Sequence, residues 1–147
     1  EAETAMAFNP SYPEQLAGLT YMYDAMNFYV LGKTVKEAGE AVLTLIKRDQ
    51  GVVTDEMEPV RIPASGAIRL RARVGEDGTQ VTFYYDTGDD NWQQAGVPLT
   101  TEIMTAAHCR GFTGAHFGMY VHDMTGLSLT TDCDYFSMEA EENEKAM

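Results

Sequence analysis

The sequence predicts an all-β domain, an antiparallel β-sandwich or jelly roll. Three observations carry that expectation. The dominant hydrophobic period is two residues rather than 3.6. Turn sequences recur between short alternating runs, spaced as in a sandwich. Only 101–108, "TEIMTAAH", suggests a helical turn, and it is short. The chain has 147 residues, 44% apolar and 22% charged, enough for one domain with a real core and too few for two comfortable ones.

The elements follow in order. "GLTYMY" (18–23) and "NFYVLGKT" (27–34) read as a hairpin across "DAMN" (24–27). "AVLTLIKRD" (41–49) is a further strand, and "PVRIP" (59–63) a short edge strand pinned by two prolines. "IRLRARV" (68–74) alternates most clearly: Ile68, Leu70, Ala72 and Val74 face one way, and Arg69, Arg71 and Arg73 the other. The turn "GEDGT" leads into "QVTFYYD" (80–86), so the pair forms a hairpin with one apolar and one polar face. "DTGDDN" (86–91) is the next turn, and Trp92, the sole tryptophan, follows as a sandwich-edge anchor rather than a sugar platform. Past 101–108, "AHFGMYVHD" (115–123) and "LTTDCDYFSM" (129–138) are strands joined by "MTGLS". The sandwich thus occupies 1–138, and 139–147 is a charged, non-periodic tail that frays.

The net charge is −13. A nucleic-acid backbone would repel such a surface, so DNA and RNA are not expected partners. Anionic membrane surfaces are disfavoured for the same reason, and no apolar run approaches the ~20 residues of a membrane helix. "EAETAMAF" (1–8) has neither a basic n-region nor an apolar h-region, so it does not read as a signal peptide. Localisation stays open between cytoplasm and secretion. Cys109 and Cys133 are too few for a disulfide scaffold; two free thiols are the simpler reading and one bridge the alternative.

With the strands placed, the runs "IRLRARV…TQVTFYYDTGDDNWQQAG", "GFTGAHFGMYVHDMTG" and "DCDYFSM", in that order, resemble the C-terminal domain of glycoside hydrolase family 43 β-xylosidases and arabinofuranosidases. "AGLTYMYDAMNFYVLGKT" fits the same pattern, so the resemblance covers nearly the whole chain. It implies a concanavalin-A-like sandwich behind a catalytic five-bladed propeller. The implied partners are that propeller and a xylo- or arabino-oligosaccharide; self-association into a homo-oligomer is left open. The family's inverting chemistry needs a general acid and a general base, both on the propeller, so no catalytic residue is assigned to this chain. The resemblance also implies further strands before Glu1, which would leave this sandwich lacking its first strands. Cys133 stands where the family more often has an apolar residue such as Phe, which predicts altered core packing.

"CRGFTGAHFGMYVHD" (109–123) holds three glycines in what reads as loop and strand. Gly111 and Gly114 permit tight or positive-φ backbone, and Gly118 permits close approach by a neighbouring layer. From the residues alone Phe112 is either a core residue at a strand start or an aromatic held outward. In related β-xylosidases this loop reaches over the propeller with an aromatic at the sugar pocket, a position Phe112 matches, with His108 beside it at the pocket edge. A metal site from His108, Cys109, His116 and His122 is unsupported: His116 and His122 share a face but lie roughly 20 Å apart. Arg69, Arg71, Arg73 and Tyr84 either line a sugar-binding face or form a face that is solvated or paired with the acidic excess; the second is favoured. No cofactor is required. Asp132 and Asp134 could ligate Ca²⁺, as related sandwiches sometimes do near their last strand, but the signal is weak: two carboxylates against the six to eight oxygens Ca²⁺ takes. Two further functions compete with the accessory role: an autonomous carbohydrate-binding module, which should show several exposed aromatics on one face, and a purely structural or oligomerisation domain.

Overall fold

The structure, a computed structural model, describes residues 1–104, 115–126 and 129–139. These residues form eleven strands: β1 (Ala2–Ala7), β2 (Gln15–Asp24), β3 (Asn27–Val35), β4 (Ala41–Asp49), β5 (Val52–Asp55), β6 (Val60–Arg61), β7 (Ile68–Val74), β8 (Gln80–Asp86), β9 (Gln93–Thr100), β10 (His116–Asp123) and β11 (Asp132–Met138). One sheet runs β11-β1-β7-β8-β9 and the other β10-β2-β3-β4-β5, with β6 also on β4; all pairings are antiparallel. The two sheets stack as a sandwich.

Period-two alternation builds the core between them. Leu70, Ala72, Val81 and Phe83 meet Ala17, Leu19, Leu31, Leu43 and Leu45 in one buried cluster. Tyr29 and Phe83 cross the gap edge to face, with ring centroids 6.5 Å apart. Complete burial of each such side chain contributes about 1.5–3 kcal/mol. The hairpin 68–86 and the strand 41–49 fall where the sequence puts them, and 59–63 is the short edge pairing expected of it. The predicted helical turn is a 3-10 turn at Glu102–Met104.

Four findings depart from the sequence reading. β1, in a stretch read only for targeting, lies inside its sheet between β7 and β11. Cys133 is a free, exposed thiol on the edge strand β11 with its sulfur 3.4 Å from Thr4 Oγ1, not a core residue. Gly118 does not mark a close approach, since a Cβ there would meet only Thr20 Cγ2 at 3.7 Å. The glycine that sterics demand is Gly18, where a Cβ would fall 1.9 Å from the Leu31 carbonyl oxygen across the β2–β3 ladder.

The core is thinnest along β10 and β11. Inward-facing Leu19 and Thr4 on the neighbouring strands are fully buried, whereas Val121, Phe136 and Met138, also at inward register positions, are 51%, 41% and 64% exposed.

Candidate functional site

One end of the sandwich carries the β2–β3, β4–β5 and β7–β8 turns. Residues 105–114, with the candidates Phe112 and His108 as well as Cys109, Gly111 and Gly114, lie outside the described residues; the chain on either side of them is anchored at this end. On one side Thr101 N donates to Thr79 O at 2.9 Å, Met104 N to Thr101 O at 2.9 Å, and Ile103 and Met104 are buried. Tyr29 clamps the same run by donating its hydroxyl to Thr100 O at 2.7 Å. Burial, with the charges of Glu56 and Asp49, pushes that hydroxyl well above its ordinary pKa, so it stays a donor. On the other side Ala115 packs on the core and His116 pairs with Met22 on β2. Beside these anchors, Lys47, Asp49, Gln50, Val52 and Thr54 line an open depression of about 360 Å³, with the Lys47 Nζ–Glu56 Oε1 ion pair at 3.1 Å.

The outer face of the β1–β7–β8 sheet is a closed polar network. Arg69 pairs with Asp86, Nε to Oδ2 at 2.9 Å, and with Asp90 at 2.6 Å. Arg71 reaches Glu3 at 2.6 Å and Glu1 at 3.2 Å, and Arg73 approaches Glu1 at 3.9 Å. Trp92 lies across two of the guanidiniums, 4.8 Å from Arg69 and 4.0 Å from Arg71, which is cation–π distance. Asp86 is buried, and burial alone would raise its pKa; the Arg69 hydrogen bond and the backbone N–H groups of Gly88 and Asn91 outweigh that and hold it at about 2. Glu3 follows the same balance: burial raises it, and hydrogen bonds from Tyr135 and Arg71 bring it below the ordinary value. The arginines are thus met by acids, one of the two forms of the favoured alternative, the other being a solvated face. Trp92 proves to be a stacking platform for them rather than an anchor at the sandwich edge.

The opposite outer face, on β10-β2-β3-β4, carries an apolar cluster of Leu16, Phe28 and Val30 with half-buried Met22, Ile46 and Tyr120. Tyr120 packs on Phe28 with centroids 5.4 Å apart, and its hydroxyl is 3.1 Å from His122 Nδ1. Burial lowers the His122 pKa, which favours the neutral imidazole beside the Tyr120 hydroxyl; His116 is exposed. Among the described residues no three His, Cys, Asp or Glu side chains converge as a metal site would need. Asp132 and Asp134 are exposed on β11.

Three polar arrangements, two of them with buried groups, escaped sequence reasoning. Lys33, 1% exposed at an inward position of β3, donates to Ala64 O at 2.9 Å, and burial lowers its pKa. Alternation through Tyr29, Leu31, Lys33 and Val35 could have revealed it. Arg48 has its Nε buried with no hydrogen-bond partner. Asp123 accepts from the Thr125 hydroxyl, Leu129 N at 2.7 Å and Gln15 Nε2 at 3.2 Å; the Thr125 and Leu129 hydrogen bonds chiefly hold it at about 2.

The fold defines a two-sheet concanavalin A-like sandwich. The chain belongs to the family described as the β-xylosidase C-terminal concanavalin A-like domain, which matches residues 1–139. It is 27% identical over 137 residues to a xylan 1,3-β-xylosidase of a Vibrio species, covering 91% of this chain and 25% of that protein. It is 27% identical over 139 residues to the β-xylosidase of Bacillus subtilis, with 92% and 26% covered. The crystal structure of the xylan β-1,4-xylosidase from Bacillus halodurans C-125 matches with a TM-score of 0.86 at 25% identity, over 92% of this chain and 26% of that one. The chain therefore spans about a quarter of the length of these relatives.

Proposed function

We propose that this sandwich packs on a catalytic propeller of the same protein, acts with it on xylo- or arabino-oligosaccharides, and helps close the sugar pocket through Phe112, with His108 at the pocket edge. The observation that carries the reading is the pair of anchors at one end of the sandwich: buried Ile103 and Met104 before residues 105–114, and core-packed Ala115 after them. Fixed ends limit how far the Phe112 ring between them can reach. A sugar's C–H face packs on such a ring, and closure excludes water from the reacting centre. The acid and the base would come from the propeller, so the isolated chain should not hydrolyse aryl-xylosides or aryl-arabinosides.

Phe112→Ala in the full-length enzyme tests the pocket role. The expected result is a loss of about tenfold in kcat/KM, or ~1.4 kcal/mol, with an unchanged unfolding midpoint. A core phenylalanine would instead cost ~3–5 kcal/mol of stability and leave the kinetics of the folded enzyme intact, and that pattern would sink the proposal. Micromolar binding of xylo-oligosaccharides by this chain alone, measured by calorimetry, would favour an autonomous carbohydrate-binding module.

The half-exposed Val121, Phe136 and Met138 support a second element of the reading, that polypeptide outside this chain completes the sandwich along β10 and β11. An apolar flank of this kind is an aggregation risk. The isolated chain should self-associate, and a monodisperse monomer with a sharp unfolding transition would count against completion from outside.

A further inference from the structure

We propose that β10 is an internal strand in the whole protein: a further strand of the same polypeptide, from outside these 147 residues, pairs with it through backbone hydrogen bonds and lays its apolar side chains into the open flank of the sandwich. The inference rests on the reading that polypeptide outside this chain completes the sandwich. It adds the edge, the mode of attachment and the kind of segment.

Among the described residues the sheets end on four strands, β5 and β10 in one and β9 and β11 in the other. An edge strand left to solvent is blunted by shortness, proline, a bulge or charge, because its free N–H and C=O groups otherwise invite pairing. Three of the four are blunted. β5 has four residues. β9 carries Pro98 and a positive-φ Gly96, and its register shifts against β8. β11 shifts register against β1 and exposes Asp132 and Asp134. β10 has none of these devices along its middle. It pairs with β2 from His116 to Asp123 without a shift, and residues 117–121 hold no charge and no proline.

The side chains of β10 are those of an internal strand. Phe117 and Met119 pack on the main core, and Tyr120 packs on Phe28, so both faces are apolar. β1 lies over β2, which puts β10 and β11 on the same flank. There Val121 is 51% exposed on the inward side of β10, and Phe136 and Met138 of β11 are 41% and 64% exposed. On the outward side Gly118 leaves space, since a Cβ there would meet only Thr20 Cγ2 at 3.7 Å. One face of an added strand would cover Val121 and point toward Phe136 and Met138; the other would set a bulky residue beside Gly118. Backbone bonds would supply the attachment and alternate apolar side chains the fit. Charge disfavours a second copy as the occupant, because each carries −13. The relatives have the chain to spare: about three-quarters of the length of each lies outside the region this chain matches.

Residue-resolved amide hydrogen exchange on the full-length polypeptide tests the proposal. In a strand bonded on one side, every second amide faces away from its neighbour and exchanges fast; bonded on both sides, successive amides are all slow. The expected result is slow exchange at every amide of 117–122, all within about tenfold of one another, with β9 alternating. Alternation along β10 with uniform protection along β11 would overturn the choice of edge and keep completion from outside. Alternation along both would overturn the completion as well. Protection of β10 that fades on dilution would make the occupant a second copy and defeat the same-chain strand. A photo-reactive benzoylphenylalanine in place of Val121 should cross-link to a peptide of the same polypeptide outside residues 1–147. Cross-links confined to residues 1–147 would also defeat it.

Discussion

On the outer face of the β1–β7–β8 sheet, Arg69, Arg71 and Arg73 stand opposite Glu1, Glu3, Asp86 and Asp90. On the other outer face, Arg48 stands beside Leu16, Phe28 and Val30 with an unsatisfied Nε. Both faces look outward from similar sheets of one acidic chain. The first satisfies its guanidiniums within the chain, and the second leaves a buried guanidinium nitrogen without a hydrogen bond. The difference teaches that sheet position does not decide whether a charged residue in a strand finds a partner. What decides is whether the register puts an opposite charge across from it: Arg69 faces Asp86 and Arg71 faces Glu3, whereas Arg48 faces Phe28 and Val53.

The sharpest way to break the comparison is Phe28→Ala. If the apolar cluster is a second small core, this nearly buried ring should cost ~3–5 kcal/mol in urea unfolding; a loss below ~1 kcal/mol would make it ordinary surface. Next, Arg69→Met strands the buried Asp86 carboxylate. Breaking a fully buried pair costs ~3–5 kcal/mol; because the Arg69 side chain is 30% exposed, about 2–3 kcal/mol is expected here. The pH dependence gives the same network a signature. Asp86 has a folded pKa of about 2, below its ordinary 3.8, so its contribution is present above 3.8 and disappears as pH falls through about 2. Arg69→Met should flatten stability over that acid window, and an unaltered profile would argue against the pairing.

Lys33 extends the contrast to the interior, where a cation holds one backbone carbonyl. Lys33→Met should be neutral or raise stability by about 1 kcal/mol. Its folded pKa lies below the unfolded value of 10.5. The unfolded chain therefore binds the proton more tightly, and this group makes stability rise with pH up to about that value. The variant should lose that rise, measured by unfolding midpoints on the alkaline side. The smallest effect belongs to Trp92 over Arg71: a double-mutant cycle should return ~0.5–1 kcal/mol, and zero coupling would reduce the stacking to proximity.

The sandwich was legible where alternation was strong and turns were marked, as in 68–86. β1 was not, because Ala2, Glu3, Thr4, Ala5 and Met6 carry little β signal of their own; their strand exists because β7 and β11 pair with it on both sides. The same limit hid Asp86 as the anchor of Arg69. It looked like the first residue of an acidic turn, and only the β7–β8 register brings the two together. Trp92 was likewise placed by its turn rather than by the arginine ladder onto which the turn folds it. Lys33 and Arg48 escaped because a charged residue in a strand reads as solvent-facing until the burial of its neighbours is known. Phe112 and His108 came from the family resemblance more than from pattern, and their test is kinetic.

β1 also sets a constraint on biosynthesis. It precedes β2 to β11 in this chain, yet its partners are β7, more than sixty residues later, and β11, near the other end, where Glu1 N donates to Glu139 O at 2.9 Å. Contacts of such long sequence separation form slowly. As the chain leaves the ribosome, β2, β3 and β4 can zip into neighbouring hairpins while β1 waits with both edges bare. β1, translated before β2 to β11, is then among the last of these strands to be secured, and a ribosome stalled before β11 would hold out a sheet with an unpaired strand at its margin.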